Sequence, residues 1–381
     1  MQRDMSFLTW PFFDDYHRRL AAELEVWCEI YLPVDHSDVD KACIKLVKML
    51  GDGGWLNHSA INPDSSANQS LDTRSLCLIR EILARHDTLA DFAFAMQGLG
   101  TGAISLFGTK EQQQWLRQTR AGEALSGFAL TEPQSGSDVA NISLSAHLDG
   151  ENYVLNGEKT WISNGGIAHL YCVFARTGEA PGAKGLSALL VPANSPGLTV
   201  AERLHTLAPH PLARLNFSNV KVNSSQLIGD AGSGFKVAMC VLDIFRSSVG
   251  AAALGMARRA LHEALGRSQN RHLFGAPLND LQMVQGHLAD MATQIDAAAL
   301  LVYRAAWTKD QGVARVSKEA AMAKLYATEM AQKVIDQAVQ IHGAEGVRSG
   351  AIVECLYREI RALRIYEGAT DVQKIIIAKQ L

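Results

Sequence analysis

The hydrophobic pattern of the chain changes period twice, and this change limits the possible folds more than any other feature. Up to about Gly122, apolar residues recur every three or four positions, as in segments 20–27 and 76–83. Thr109 and Gln112 have the spacing of a capping box, which predicts a further helix through residues 115–116. The pattern predicts an N-terminal helical domain over residues 1–124.

Short strand-like runs separated by turn signals follow, up to about residue 228. Residues 142–146 alternate between apolar and polar, and the dipeptides Asp149-Gly150 and Asn156-Gly157 are typical of hairpin turns. Further strands are predicted at 170–174, 187–191 and 215–217. No helical stretch separates these strands, which argues against a Rossmann arrangement. We predict a central domain over residues 125–233, built as a small antiparallel β-barrel or sandwich, with the barrel preferred.

The helical period returns after Gly234 and continues to the last residue. Long helices are predicted at about 237–271, 281–309 and 317–341, and two further helical segments flank Glu367. Long helices with short connections are typical of a four-helix bundle, which we predict for residues 234–381. The predicted fold class is therefore α+β and multidomain, in the order helical, β, helical.

Composition excludes several functional classes. With 36 Lys and Arg against 39 Asp and Glu, the net charge of −3 gives no electrostatic footprint for nucleic acid or a membrane surface. The six cysteines form no CxxC pair, which indicates neither a disulfide framework nor a metal site. The first ten residues, MQRDMSFLTW, have no apolar signal core, and the longest apolar run, 297–302, is too short to cross a bilayer. We therefore predict a cytoplasmic protein without a bound metal or membrane insertion.

Glu367 lies in a segment where local signals conflict. An apolar helical stripe leads up to it, Gly368 is a favourable left-handed helix terminator, and Thr370 with Gln373 has the spacing of another capping box. A carboxylate at a helix C-terminus beside Ile365 is disfavoured by the helix dipole and by an apolar setting, and both effects raise its pKa. Such an acid suits general-base catalysis. From these local patterns alone, a surface Glu in a helix–helix turn is the commoner explanation.

The segment 365–370, IYEGAT, resembles the signature of the acyl-CoA dehydrogenase family, whose Glu removes the α-proton of an acyl thioester. This resemblance identifies Glu367 as the catalytic base. The family pattern usually has Thr directly after the Gly, where this chain has Ala369. The resemblance implies cofactor contacts at Ala369 and Asp371 and a substrate contact at Gly368.

Two further segments resemble the family's flavin-binding motifs in the β-domain. Residues 128–138, FALTEPQSGSD, are similar to the T-E-P-x-x-G-S-D loop, and residues 157–165, GEKTWISNG, to the G-x-K-x-W-I-[ST]-N strand and turn. The resemblance implies that Trp161 covers the flavin ring and that Ser137 also lies near the CoA moiety. The implied FAD-binding residues here are Phe128, Leu130, Thr131, Gly136, Ser137, Trp161, Ile162 and Ser163.

Two C-terminal motifs resemble segments that contact the FAD of a neighbouring subunit. Residues 271–275, RHLFG, with Gln282 downstream are similar to R-x-x-F-G…Q, and residues 340–346, QIHGAEG, to Q-x-x-G-G-x-G with Ala344 for one Gly. An Arg in this motif pairs with the FAD pyrophosphate. The implied cofactor residues are Arg271, Phe274, Leu281, Gln282, Gln340, Gly343 and Ala344. Contacts across subunits imply a homo-oligomer, a tetramer or a dimer.

The segment 242–246, LDIFR, matches the L-D-x-x-R start of the first long C-terminal helix of the family. The resemblance places Asp243 and Arg246 beside the CoA substrate. Some family members carry their catalytic Glu at the position of Phe245, and Phe cannot act as a base. The resemblance therefore leaves Glu367 as the base.

The chain also departs from the family pattern at several positions. Residues 207–212, LAPHPL, replace the usual Ser/Thr pattern of the substrate loop, and Asn219 and Asn223 replace a common Asp and Pro. Acyl chain length is left open, because Phe92 at the expected floor of the acyl pocket could shorten it and Ala95 could lengthen it.

The resemblance implies FAD-dependent α,β-dehydrogenation of an acyl-CoA to the trans-2-enoyl-CoA, with an electron-transfer flavoprotein as the electron acceptor. Alternatives of the same fold are an acyl-CoA oxidase or desulfinase and a flavin monooxygenase. A non-catalytic flavin- or CoA-binding helical protein is an alternative from another class.

Overall fold

The computed structural model describes residues 4–65 and 70–381, so the first three residues of the N-terminal segment considered above lie outside the described part. Elements are numbered in chain order. The helices are α1 (Asp15–Tyr31), α2 (Val39–Asp52), α3 (Thr73–His86), α4 (Thr88–Phe107), α5 (Gln114–Arg120), α6 (Gly234–Asn270), α7 (Gln282–Asp310), α8 (Ser317–His342), α9 (Ile352–Leu363) and α10 (Thr370–Ala378). The strands are β1 (Ser126–Ala129), β2 (Ser145–Asp149), β3 (Asn152–Ser163), β4 (Leu170–Arg176), β5 (Leu186–Pro192), β6 (Leu198–Leu204), β7 (Leu212–Asn223), β8 (Leu227–Ile228), β9 (His272–Leu273) and β10 (Ala276–Pro277).

The chain divides into two compact units, each assembled from separate segments. The helical unit comprises the described residues up to Pro33 together with Asp72–Asp91 and Asp243–Leu381. The β unit comprises Val34–Leu71 and Phe92–Leu242. The character of the chain changes between α5 and β1 and again between β8 and α6. The predicted domain limits after residues 124 and 233 stay a prediction.

Long helices packed side by side form the helical unit. Helix α8 packs against α7, α9 and α10, and α3 packs against α7 and α1. The rings of Phe7 and Phe13 lie 5.7 and 4.7 Å from that of buried Tyr303, whose hydroxyl donates to Glu81. Arg258 pairs with the other oxygen of the same carboxylate at 2.8 Å, which leaves this buried acid with both a charge partner and hydrogen bonds.

Residues 234–381 are helical, as predicted, and they form three long helices and two short ones; their arrangement as a four-helix bundle stays a prediction. Helices α6, α7 and α8 have 37, 29 and 26 residues, whereas α9 and α10 have only 12 and 9. The chain is broken between α9 and α10 because residues 367 and 368 both take positive φ, which no α-helix accommodates.

Helix α6 is the one described helix that is long and apolar enough to cross a membrane by length and composition. However, 89% of its most apolar stretch is buried inside the protein. That burial is typical of a helix at the centre of a folded core.

The β unit is built on one eight-stranded sheet with the order β6-β7-β3-β2-β4-β5-β8, and β1 pairs with β4 beside this path. The predicted closed antiparallel barrel is therefore not confirmed: the sheet is open, and β4 pairs in parallel with both β1 and β2. The two edge strands of the sheet, β6 and β8, do not pair with each other. Strand β8 has only two residues, and β6 exposes residues such as Glu202, which pairs with Arg214. The core of the unit lies on the inner faces of β3, β4, β5 and β7.

One of the two predicted hairpin turns is correct and the other is wrong. Gly150, with φ 59°, connects β2 to β3 as expected. The dipeptide Asn156-Gly157 instead lies inside β3, where the pairing with β7 shifts register. Gly157 has φ 140°, and an added Cβ would lie 3.0 Å from the Leu144 backbone. The dipeptide therefore forms a bulge rather than a turn, because β2 approaches too closely for a side chain.

Candidate functional site

A buried ion pair anchors the loop that follows β1, within residues 128–138. The Glu132 carboxylate accepts from the Lys159 ammonium at 2.8 Å, from the Ser143 backbone and hydroxyl at 2.6 and 2.8 Å, and from the Leu144 backbone at 2.9 Å. Lys159 also donates to the Leu130 carbonyl at 3.0 Å. Both charged side chains are buried, at 4% and 0% exposure. The acid of the T-E-P motif and the lysine of the following strand therefore hold the two motifs together.

Backbone pairing and electrostatics reinforce the same anchor. The Thr160 N–H donates to the Thr131 carbonyl at 2.9 Å. Burial lowers the pKa of Lys159 to about 8, although Glu132 opposes this shift. Burial would raise the pKa of Glu132, but Lys159 and the surrounding N–H donors hold it below its ordinary value. Both groups are consequently charged at neutral pH.

Trp161 projects outward from a distortion in β3. Its backbone has φ 58°, which is unusual for a bulky residue, and it lies where the pairing of β3 with β7 is interrupted between Lys159 and Ile162. The neighbours Thr160 and Ile162 are buried, whereas Trp161 is 55% exposed. Backbone strain that presents an aromatic ring at the surface is a common feature of ligand sites. The ring is not a core residue.

The other predicted cofactor residues of the β unit lie in the loop over 128–138 or next to Trp161 in the chain, and they differ in exposure. Leu130 and Ile162 are buried and can contribute only backbone atoms or one edge. The remaining residues reach the surface, namely Phe128, Thr131 and Ser163, which are half-buried, and Gly136 and Ser137, which are exposed. An added Cβ at Gly136 would meet only the Thr131 methyl group at 3.9 Å. The loop thus presents hydroxyls and backbone amides over a rigid base.

In the helical unit, Glu367 lies in the turn between α9 and α10 rather than at the end of α9. Helix α9 ends at Leu363, and Glu367 and Gly368 have φ 54° and 95°. The left-handed conformation predicted for Gly368 is confirmed. An added Cβ at Gly368 would lie 2.4 Å from the Gln373 amide nitrogen, so a side chain at this position would have to displace that amide.

The predicted capping box of Thr370 and Gln373 is wrong. Helix α10 begins at Thr370, with Ala369 preceding it, and the Thr370 hydroxyl donates to Glu329 at 2.5 Å. The Gln373 amide instead donates to the carbonyls of Glu367 and Gly368, at 3.3 and 2.8 Å. The placement that lets Gln373 Nε2 donate to these two carbonyls leaves its Oε1, the acceptor that a capping box requires, without a partner among the described residues.

The Glu367 carboxyl lies in a charged but poorly solvated environment. Its Oε2 atom is buried and has no hydrogen-bond partner among the described residues. Burial raises the pKa of Glu367, as expected from its sequence context, although Arg80, Lys324 and Arg246 lower it and Asp91 adds to the increase. Burial, which the apolar sequence context predicted, is the largest cause of this increase in pKa.

Three side chains from three helices hold the backbone of this turn. Arg246 of α6 donates to the Glu367 carbonyl at 3.4 Å, Lys324 of α8 to the Gly368 carbonyl at 2.8 Å, and Gln373 of α10 to both. Sequence analysis missed Lys324 and the role of Gln373. A signal existed for Lys324, because it interrupts the buried alanine stripe of α8 at 320, 323, 327 and 331.

A second cation near Glu367 was also missed. Arg80 of α3 is 1% exposed and makes two hydrogen bonds to Asp91, at 2.8 and 3.0 Å, and one to the Ser248 hydroxyl at 3.0 Å. The Ser248 hydroxyl in turn donates to the Phe245 carbonyl. This network fixes a guanidinium charge whose field favours the ionised form of the Glu367 carboxyl.

Asp243 and Phe245 lie inside α6 and not at its start, since the helix begins at Gly234. Asp243 is 6% exposed, accepts from the Ser317 hydroxyl at 2.7 Å and lies 3.7 Å from Arg246. Phe245 is buried. Arg246 therefore joins Asp243 to the Glu367 turn, and a substrate role for Asp243, Arg246 and Gly368 stays a prediction.

The two motifs expected to contact a neighbouring subunit lie at exposed positions. Phe274, at the tip of the β9–β10 hairpin, is 94% exposed with φ 56°, and Met283 in the first turn of α7 is 72% exposed. The hydrogen bonds found among the described residues do not join either motif to the Glu367 turn. Of the predicted residues, Leu281 is half-buried and the others are exposed: Arg271, Phe274, Gln282, Gln340, Gly343 and Ala344. Their cofactor role stays a prediction.

A cavity of about 520 Å³ adjoins the start of α10. Its lining includes Ala369 and Asp371, both predicted cofactor residues, and a set of cationic side chains that comprises Lys333, Arg361, Arg364 and Lys374. Glu329 pairs with Arg364 at 2.8 Å and so offsets one of these charges. The lining is suited to a polar group of negative charge.

The residues present fit a flavin better than a metal. In residues 4–65 and 70–381, no group of three or more His, Cys, Asp or Glu side chains is arranged to hold an ion. The β unit presents a strained, exposed aromatic ring beside a rigid loop of hydroxyls and amides, which suits a planar cofactor.

Comparison with known proteins gives consistent matches along most of the chain. Residues 127–220 match the acyl-CoA dehydrogenase middle domain and residues 232–381 the acyl-CoA dehydrogenase C-terminal domain. Human short-chain specific acyl-CoA dehydrogenase, a mitochondrial protein, is 38% identical over 88% of this chain and 82% of its own length.

Solved structures agree with these matches. Butyryl-CoA dehydrogenase of Megasphaera elsdenii has a TM-score of 0.88 at 32% identity, over 97% of this chain and 98% of its own. Glutaryl-CoA dehydrogenase of Mycobacterium smegmatis, solved with FADH2, has a TM-score of 0.89 at 25% identity, over 98% of this chain and 96% of its own. The chain therefore belongs to the acyl-CoA dehydrogenases, a family of FAD-dependent oxidoreductases.

Proposed function

We propose that the protein oxidises an acyl-CoA to the trans-2-enoyl-CoA, with Glu367 as the base that removes the α-proton. Bound FAD supplies the acceptor for the β-hydrogen, which leaves as hydride. The loop over 128–138 and the Trp161 ring would hold the flavin. Glu367 then gains one proton for each turnover and has to release it before the next.

One observation carries this proposal: Glu367 has a buried carboxylate oxygen without a hydrogen-bond partner. Buried polar atoms are usually paired, so an unpaired one in a native fold calls for a ligand or a reaction to explain it. A proton on the substrate's α-carbon is a suitable partner, because accepting it needs an oxygen that is not already engaged.

The pKa of Glu367 supports the same role. Burial raises it above the ordinary value of a Glu, which brings the acid closer to neutral pH. A general base is most effective when its pKa is near the working pH. Arg80, Lys324 and Arg246 limit the increase, so that the ionised form remains available to accept a proton.

The test is anaerobic titration of the yellow holoenzyme with acyl-CoAs while flavin absorbance is recorded. The panel begins with short straight chains, because the relatives include short-chain and butyryl-CoA dehydrogenases, and it extends to longer, branched, aromatic and dicarboxylic acyl groups. We expect Glu367→Gln to bind flavin normally but to resist bleaching by the best substrate. Glu319→Gln, the same change at a half-buried site in the first turn of α8, serves as control.

Three results would contradict the proposal: a protein that binds no flavin, a wild type that no acyl-CoA bleaches, or undiminished bleaching of Glu367→Gln. Bleaching under nitrogen followed by rapid reoxidation in air would favour an oxidase over a dehydrogenase.

We further propose a cytoplasmic homotetramer or dimer that passes its electrons to an electron-transfer flavoprotein. The exposure of Phe274 and Met283 supports the oligomer, because large apolar side chains at such exposed positions favour burial against a partner. Light scattering of wild type and of Phe274→Ser tests the assembly. A monomeric wild type that binds FAD fully would contradict it.

A further inference from the structure

We propose that Lys324 is a positioning residue for Glu367: its ammonium group holds the turn through the Gly368 carbonyl and favours the negatively charged form of the neighbouring carboxyl. The inference rests on the proposed role of Glu367 as base. Lys324 then has a structural role, through its hydrogen bond to the Gly368 carbonyl, and an electrostatic role, through the effect of its charge on Glu367.

The position of Lys324 is well defined. It is fully buried in α8, among alanines at 320, 323 and 327 on the same face. Its Nζ atom donates to the Gly368 carbonyl at 2.8 Å, one residue from Glu367. A buried lysine needs a specific partner to offset the loss of hydration.

The hydrogen bond to the Gly368 carbonyl does not by itself explain why residue 324 is a lysine. The Gln373 amide donates to the same Gly368 oxygen, also at 2.8 Å, so an apolar residue at 324 would leave the carbonyl satisfied. An ammonium ion in this place costs desolvation free energy that a methionine of similar size would not. The charge itself is therefore the feature to be explained.

The surroundings of Lys324 point to Glu367 as the target of that charge. The acids that favour the charged lysine are Glu367 first and then Glu329, while Arg246 and Arg364 oppose it. Glu329 already accepts from Arg364 and Thr370. Glu367, in contrast, has an oxygen without any partner among the described residues.

The charged and titratable groups that face Glu367 come from several elements. Arg80 of α3, Arg246 of α6 and Lys324 favour its ionised form, and Asp91 of α4 disfavours it. Arg80 is engaged with Asp91 in a buried pair, and Arg246 lies 3.7 Å from Asp243. Lys324 is the cation of this group without a carboxylate ion pair of its own in the described residues. Burial lowers its pKa to about 8, so it is still charged at neutral pH.

The direction of the effect follows from these charges. Removing a cation near a carboxyl disfavours its ionised form, so Lys324→Met makes Glu367 harder to ionise. The acidic limb of the rate of flavin reduction should then move upward by about one pH unit, with an approximately tenfold lower rate below that limb.

The experiment compares three variants under anaerobic stopped flow with the best acyl-CoA across mildly acidic to mildly alkaline pH. Lys324→Met removes the charge, Gln373→Leu removes a neutral hydrogen bond to the same carbonyl, and Lys318→Met removes a half-buried charge from the first turn of the same helix. The Glu367 carboxyl is titrated in parallel by infrared difference spectroscopy of each substrate-free protein, with Glu367→Gln identifying the band.

We expect Lys324→Met to move both the acidic limb of the rate and the infrared midpoint of Glu367. Lys318→Met should change neither the rate nor the midpoint, and Gln373→Leu, which loosens the turn, should lower the rate equally at every pH without moving either midpoint. An unshifted Lys324→Met, or an equal shift in Gln373→Leu, overturns the inference. If Lys324→Met does not fold, the comparison of Lys324→Arg with Lys324→Gln gives the same test. A wild type that no acyl-CoA reduces contradicts the proposed function instead, and the infrared titration still decides on Lys324.

Discussion

The buried ion pair of Glu132 and Lys159 leads to a quantitative prediction about the stability of the loop over residues 128–138. Removing one partner of a buried ion pair typically costs about 3–5 kcal/mol, because the other charge is left without compensation. After Lys159→Met, Glu132 would keep its three donors from Ser143 and Leu144, which places the loss near the lower end, about 3 kcal/mol. The variant also leaves the Leu130 carbonyl without its Lys159 donor.

Hydrogen exchange measures this loss locally. The Ser143 and Leu144 amides donate to Glu132, and the Thr160 amide donates to Thr131. A loss of about 3 kcal/mol corresponds to roughly 100-fold faster exchange for amides that exchange through local opening. Mass spectrometry of peptides covering residues 139–163 of the apoprotein provides the measurement.

Two variants separate charge from packing. Lys221→Met removes an exposed lysine from β7 and should leave the exchange unchanged. Combining Lys159→Met with Glu132→Gln removes the uncompensated charge and should recover a large part of the protection. Unchanged exchange in Lys159→Met, or a double variant that is worse than the single one, would refute the reasoning that the pair anchors the loop.

Three further predictions concern single positions. Gly368→Ala should slow flavin reduction while the protein still folds, because a left-handed alanine costs about 1–2 kcal/mol and its Cβ displaces the Gln373 amide. Stopped flow measures the rate of reduction, and circular dichroism checks the fold. Trp161→Asn should leave the melting temperature of the apoprotein unchanged or higher, since Asn tolerates positive φ, and a large decrease would mean that the ring is part of the core. Arg80→Met should lower the free energy of unfolding by about 3–5 kcal/mol in urea titrations, because it leaves Asp91 buried without its guanidinium, and wild-type stability would contradict that account.

Periodicity predicted those elements whose burial repeats regularly along the chain. Helices α1 and α3 and strands β4 and β5 appear where the apolar pattern placed them, and the Thr109–Gln112 capping box forms with reciprocal hydrogen bonds of 3.0 and 3.3 Å. In these cases the local preference and the tertiary environment agree.

The failures arise where a hydrogen bond made in the folded structure competes with the local signal. Asn156-Gly157 has the sequence of a turn, but Asn219 on the neighbouring strand pairs with Asn156 and β3 continues through the dipeptide. Gln373 has the spacing of a cap, but two carbonyls of the Glu367 turn bind its amide. No local pattern reports which strand or carbonyl will be adjacent.

The same limitation applies to the candidate site. Glu367 and the motifs at residues 128–138 and 157–165 could be singled out because they resemble a known signature in the right order, and their roles stay predictions. Lys324 and Arg80 were not, because both lie on helices that are far from Glu367 in sequence. Gln373 is only five residues from Gly368, but its spacing is that of a cap, and only the fold shows that it binds this turn. The charges of Lys324 and Arg80 favour the ionised form of Glu367, and charge placement depends on packing rather than on spacing along the chain.

Glu367, Trp161 and Phe274 share a left-handed backbone that none of these side chains favours. Glycine or asparagine would adopt this backbone at lower free energy at all three positions, so such substitutions should stabilise the fold. A library selected only for heat resistance should accumulate glycine or asparagine there and become colourless or inert. A library selected for flavin reduction by an acyl-CoA should retain the strained residues and acquire its stability elsewhere, so the positions at which the two libraries diverge would identify the residues that function requires.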